Sequence, residues 1–178
     1  MKIIASNISS INCDWKNIPF IFSSSISATC SSVYGSKEEH DCHFAIDGEI
    51  SDSEKGIFHS DDERFPWLQV KLGTEKTISS VTIVNRKDSN GWRLADIEVR
   101  AGMIETTQFS NKKRIETNPI CGTFKGPGKD GETYTINCET PIKAKYVTVQ
   151  IVPKVEFPKV VPSSILQINE LTFNKNNT

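Results

Sequence analysis

Apolar and polar side chains alternate with a period of two along much of this chain, and no apolar stripe holds the helical period for three turns. Successive strand side chains point to opposite faces, so this pattern predicts strands with one face buried. Val81 and Ile83 alternate with Thr82 and Val84, and Ala95, Ile97 and Val99 alternate with Leu94, Asp96 and Glu98. Between them, 87–92 gathers Asp, Ser, Asn and Gly, so 80–101 (SVTIVNRKDSNGWRLADIEVRA) reads as a β-hairpin with a six-residue loop. Strand-like runs at 67–72, 114–124, 133–137, 146–152 and 165–173, after a first strand within 19–29, bring the total to about eight. Turn signals stand at Gly73, at Asn118-Pro119 and across 153–162. Residues 1–19 show no period and are expected to form an arm, 20–174 one domain and 175–178 a tail. Many short strands with turn signals predict an all-β antiparallel sandwich of about eight strands, a jelly roll. The polar, charged stretch 31–58 is longer than loops in compact domains usually are, which marks it as functional or ion-bound.

A chain of 178 residues is long enough to bury a proper core. A formal net charge of −1 argues against general binding to nucleic acid or anionic membrane, which call for a strongly basic face. No run approaches the length of a membrane-spanning helix. The N-terminal MKIIASNISSINCDW has one lysine and a broken apolar stretch, too short for a signal-peptide core. Either a signal has been removed or secretion takes another route. Asn7-Ile8-Ser9 and Asn176-Asn177-Thr178 are glycosylation sequons of little weight. Of five cysteines, Cys30 and Cys42 bracket a polar loop and can pair with each other, leaving Cys13 over. Cys13 with Cys30 or Cys42 is the alternative, and a cytosolic chain with five buried thiols is another.

Enzyme chemistry finds little support. His40-Asp41-Cys42-His43 lacks a second cluster at zinc-like spacing, so solvated loop residues are expected there. Asp61, Asp62 and Glu63 form a charge run that reads as a solvated face. No Gly-rich phosphate loop follows a strand and opens a helix. A binding protein, not an enzyme, is the expectation.

Arg86 and Arg93 stand at the two rims of the predicted hairpin, with Asp88 between them. If their faces are the inner ones, both guanidiniums lean over the open end of a sandwich, where loops gather and ligands bind. With His59 the chain reads H-x26-R-x-D-x4-R, as His59, Arg86, Asp88 and Arg93. This pattern resembles the fucose-binding signature of the F-type lectins (fucolectins), a branch of the discoidin-like, galactose-binding-domain-like sandwiches. Ala45-Ile46-Asp47-Gly48, Pro66-Trp67-Leu68-Gln69-Val70-Lys71-Leu72, Val84-Asn85-Arg86 and Lys145-Tyr146-Val147-Thr148-Val149 resemble four further motifs of that family. The resemblance covers residues 20–174.

The resemblance implies a lectin that takes L-fucose in fucosylated glycans through His59, Arg86 and Arg93, with Asp88 orienting the arginines. Three convergent donors would fix an axial hydroxyl, and charged donors roughly double the strength of each hydrogen bond. Donation by His59 implies binding that weakens modestly at high pH. The family's apolar wall often includes two adjacent cysteines; here Ser89-Asn90 stand in that place, with Trp92 and Tyr34 as substitutes and His40 as a further lining residue. A structural calcium ion is implied at Asp47 and Glu170, with carbonyls from Phe44, Glu49, Gly56 and Asn169. Asp47 on a tight turn suits a hard cation that collects oxygens. Gly56 stands where the family has a serine, and the 47–59 loop is shorter than expected. A Cys121–Cys138 disulfide, an extracellular location and possible homo-oligomerisation for avidity are also implied. Two alternatives remain: a discoidin-like adhesion module with Phe58, Phe65 and Trp92 at loop tips for a protein or lipid partner, and a structural coat module whose sugar site has decayed.

Overall fold

The computed structural model describes residues 26–106, 113–153 and 164–174. Eight strands run through them: β1 Ser27–Cys30, β2 Phe58–His59, β3 Trp67–Val84, β4 Ile97–Gly102, β5 Ile120–Phe124, β6 Thr133–Ile151, β7 Gln167–Ile168 and β8 Glu170–Asn174. Every strand pairing is antiparallel. The helical pieces are short 3-10 turns at Tyr34–Ser36, Glu38–His40, Cys42–Ile46 and Gly91–Arg93. The expected arm 1–19, Cys13, both sequons and the tail 175–178 lie outside the described residues.

Two long strands organise the sandwich. β3 and β6 pair in three stretches, 67–71 with 146–150, 76–78 with 142–144 and 80–84 with 133–137. Between these stretches the register slips, at Lys71/Lys76 and at Ile78/Ser80. Such irregularities bend and twist a strand. One six-stranded sheet runs in the order β1-β3-β6-β4-β5, with β8 lying along residues 80–84 of β3, and β2 pairs with β7 apart from it. The alternating apolar positions meet between the layers: Val81, Ile83, Ile97, Val99, Val147 and Val149 are buried in one cluster. Each such side chain contributes about 1.5–3 kcal/mol relative to an exposed one.

Several predicted boundaries move. The hairpin 80–101 does not form: β4 pairs with β5 and β6, and β3 with β1, β6 and β8. The 85–96 connection instead joins two strands of the sheet that have β6 between them. Gly73 does not end a strand; the break expected there is a slip inside β3. The run 114–124 is strand only over Ile120–Phe124, and 165–173 divides at Asn169 into β7 and β8. β4 does not alternate, because all six of its residues are buried. Its polar face is closed by ion pairs: Arg100 Nε donates to Glu98 Oε1 at 2.6 Å, and Arg114 caps the same carboxylate. The outer face of β3 is covered similarly, with Gln69 Nε2 donating to Thr106 and Thr148 hydroxyls at 2.5 and 2.8 Å.

Candidate functional site

Asn85, the first residue after β3, decides what the chain does next. Its buried Nδ2 donates to the carbonyls of Gly91 and Lys129 at 2.9 Å each, and its Oδ1 accepts the Arg86 amide at 2.9 Å. One side chain thereby closes residues 85–91 into a ring seated on the 129–132 turn. Gly91 lies so near that turn that a Cβ there would sit 2.5 Å from the Asp130 nitrogen. The ring presents Arg86 inward, only 4% exposed. Arg86 Nε and Nη2 donate to the two carboxylate oxygens of Asp88 at 2.6 and 2.5 Å, a bidentate pair that fixes the guanidinium plane. That pair holds the Asp88 carboxyl below the usual carboxylate range and raises Arg86. Glu54, from the long loop, adds a carboxylate 3.7 Å away.

Asp88 was expected to hold both arginines; its hydrogen bonds go to Arg86 and Ser89. Arg93 comes from the 3-10 turn Gly91–Arg93 and lies over the Trp92 ring, 5.7 Å from its centroid. His59 arrives from the opposite side on β2, where it is the register partner of Gln167 on β7. The three basic side chains meet at Gln167. With its amide oriented by the two guanidiniums, Gln167 Oε1 is 2.7 Å from Arg86 Nη1 and 3.3 Å from Arg93 Nη1, and His59 Nε2 lies 2.6 Å away. His59, Arg86 and Arg93 are therefore brought together as the spacing suggested.

The role of His59 differs from the expectation. Its Nδ1 lies 2.8 Å from the Ser60 carbonyl, which can only accept. Burial, then the neighbouring positive charges of His40, Arg86 and Arg93, lower its pKa to about 4 against the Ser60 hydrogen bond. At neutral pH the ring carries one proton, held on Nδ1 by Ser60, so Nε2 offers a lone pair. His59 is an acceptor beside two guanidinium donors, not a third donor.

Aromatic groups flank this point. Tyr34 lies over His59 with ring centroids 4.5 Å apart, and His40 is 5.2 Å from His59 and 5.5 Å from Tyr34. The Tyr34 turn is anchored beside His59 by the Gly35 amide donating to Asp61 at 3.0 Å. His40 is buried, with Nδ1 lacking a hydrogen-bond partner. Trp92 is 62% exposed and edges a cleft of about 380 Å³ that also takes in Arg93, Asp62, Asp96 and Ile165. Of the aromatics an adhesion surface would need, Phe58 is fully buried and Phe65 half-buried, because β2 carries Phe58 into the core.

Of the expected metal residues, Asp47 lies near Glu170 and accepts the Glu49 amide. Asp47 ends the 3-10 turn Cys42–Ile46, and Gly48 donates its amide to Glu170 Oε2 at 3.2 Å. Glu170 is buried; burial first, and the charge of Asp47 next, push its carboxyl up to about 7. Asn169 exchanges hydrogen bonds with the Ser51 backbone at 2.9 and 2.7 Å, and the Gly56 amide donates to the Glu39 carbonyl at 2.9 Å. Side-chain groups alone form no cluster of three or more His, Cys, Asp or Glu among the described residues. Asp41-Cys42-His43 is a capping turn, with the His43 amide and Nδ1 both on Asp41.

Cys121 and Cys138 are joined, tying β5 to β6. Cys30 and Cys42 are free thiols, not the disulfide expected. They lie within hydrogen-bonding reach of each other, and Cys42 Sγ also donates to the Ala28 carbonyl at 3.5 Å.

Known proteins share this architecture. The family model described as "NedA-like, galactose-binding domain" matches residues 44–149. The chain belongs to that galactose-binding-domain family. Among similar proteins, Fucolectin-1 of Anguilla japonica is 35% identical over 74% of this chain and 66% of its own length. Fucolectin-5 of the same species is 38% identical over 64% of this chain and 57% of its own. A fucolectin from the serum of striped bass, Morone saxatilis, superposes with a TM-score of 0.67 at 25% identity, covering 83% of this chain and 46% of that one. The chain thus spans about two thirds or less of these relatives. The resemblance to F-type lectins and the all-β sandwich both stand.

Gln167 was missed by sequence reasoning. It reaches His59 through a pairing of two two-residue strands, and no local motif marks such a contact. Asn85 stood inside a quoted motif without a role, and Glu54 sat unremarked in the long loop.

Proposed function

We propose that this domain is an extracellular lectin that binds L-fucose in fucosylated glycans, a recognition module and not an enzyme. One observation carries the reading: Arg86, Arg93 and His59 Nε2 address a single point beside an exposed tryptophan. A sugar hydroxyl accepts two hydrogen bonds and donates one. Two guanidinium donors and one imidazole acceptor are its complement. Asp88 fixes the plane of Arg86, while Trp92 and Tyr34 supply apolar surface for the methyl group and sugar ring. His40 backs the site from behind His59.

A structural calcium ion belongs to the same reading. Glu170 is a buried carboxyl facing the carboxylate of Asp47, an unfavourable pair that a hard cation would relieve, so these residues fit the ion. Asp47 and Glu170 would hold it by side chain, with carbonyls of Phe44, Glu49, Gly56 and Asn169 completing the set. Bound there, calcium supplies charge neutralisation and ties the long loop to β8. Each sugar site alone is weak, so homo-oligomerisation would raise avidity. The adhesion reading keeps only Trp92 of its three aromatics. A glycan array run with calcium and with chelator tests the proposal: fucosylated glycans should be retained selectively, and a signal indifferent to fucose would refute it.

A further inference from the structure

The point the proposed sugar donors address is already occupied by the protein itself. Gln167 Oε1 lies 2.6 Å from His59 Nε2, 2.7 Å from Arg86 Nη1 and 3.3 Å from Arg93 Nη1, and Gln167 is 3% exposed. Resting on the lectin reading, the geometry points to Gln167 as an internal stand-in for the sugar hydroxyl, a side chain that must swing aside before a glycan binds.

Two physical facts favour an exchange over a permanent contact. A buried guanidinium without an acceptor is costly, so in the sugar-free protein the amide oxygen meets a real need of Arg86. Yet a carbonyl oxygen is an imperfect occupant. Ser60 takes the Nδ1 proton of His59 at 2.8 Å, and a neutral ring then turns a lone pair toward the Gln167 oxygen. A hydroxyl resolves this conflict, because it donates to Nε2 while accepting from both arginines. The self-contact is therefore adequate in the absence of sugar and inferior to sugar in its presence. Arg93, at the longest distance and only half-buried, is the donor nearest to release and the place where exchange can begin. Gln167 then sets the threshold of affinity: a ligand must bring a hydroxyl that both donates and accepts, and must outcompete an amide held at high effective concentration.

L-fucose is titrated calorimetrically into the full chain and into Gln167→Ser and Gln167→Glu, and each protein is melted. Gln167→Ser removes the competitor, so fucose should bind about tenfold more tightly while the melting temperature falls, tenfold being the worth of one modest hydrogen bond. Gln167→Glu places a carboxylate among the cations, so the melting temperature should rise and fucose binding should be lost. A Ser variant that binds as wild type or more weakly overturns the inference, since a merely supporting glutamine lowers stability and affinity together. A Glu variant that still binds fucose as wild type overturns it as well, and decides alone if the Ser variant does not fold. Fucose binding by wild type with no gain in the Ser variant defeats only the role of Gln167. No binding by wild type or by the Ser variant defeats the lectin reading with it.

Discussion

Arg93 is the cleanest single probe of the proposed site, because it is half-buried and its contacts are a tryptophan face and the Gln167 oxygen. Arg93→Ala should cost a charged hydrogen bond to sugar, about 1.5–3 kcal/mol, with little change in melting temperature. Arg86→Ala should abolish binding too, but it also strands Asp88 and should lower the melting temperature. Equal melting of wild type and Arg86→Ala would contradict that placement. His59 brings a pH dependence with a definite sign. Its folded pKa, about 4, lies below the unfolded value of about 6.5, so the group's contribution to stability is complete above the unfolded value. It is lost as pH falls through the folded pKa. Sugar binding should follow the same direction, because protonation removes the Nε2 acceptor. Fucose affinity measured between about pH 8 and pH 6 should be flat and should decline toward pH 4. The sequence suggested the opposite, a weakening at high pH from a donating histidine. The tautomer could not be read from the chain, since Ser60 fixes it through a backbone carbonyl.

At the scale of elements, alternation was legible wherever a strand has one wet face. Val81 and Ile83 are buried while Thr82 and Val84 are half-buried, as the period of two requires. Legibility failed where both faces are covered, as in β4, and where a strand continues through a register slip, as in β3 at Gly73. Local turn chemistry at 87–92 suggested a hairpin, but Asn85 uses that chemistry to build a closed loop on the 129–132 turn. Partner choice between strands is non-local, so 80–84 and 97–102 do not pair although they are neighbours in sequence. The loop yields its own test. Gly91→Ala would force a Cβ against the Asp130 backbone, so it should lower the melting temperature and loosen Arg86 and Arg93 together. A variant with unchanged fucose affinity would argue against the loop as the holder of the site. The Cys121–Cys138 link, implied by family resemblance, closes a separation of 17 residues. Its loss in a Cys121→Ser/Cys138→Ser variant should cost about 3 kcal/mol in chemical denaturation.

The whole molecule brings His59, Arg86 and Arg93 to one point from β2, the end of β3 and a 3-10 turn, and sets Asp47 against Glu170 near the root of the same loop. The basic residues were legible because their spacing is a signature; Gln167 was not, because a cross-strand neighbour leaves no pattern. The long loop serves both features, since Glu54 reaches Arg86 while Gly48 and Ser51 bond to Glu170 and Asn169. A cation that binds only the native state raises stability by mass action. Excess calcium should therefore raise the melting temperature relative to chelator, and Asp47→Ala should erase the difference; identical melts of wild type would exclude the ion. The central claim is tested most directly by calorimetric titration of L-fucose into wild type and Arg93→Ala. Saturable binding by wild type and its loss in Arg93→Ala are the expected results. Absence of fucose binding by wild type, or equal binding by both proteins, would contradict the account.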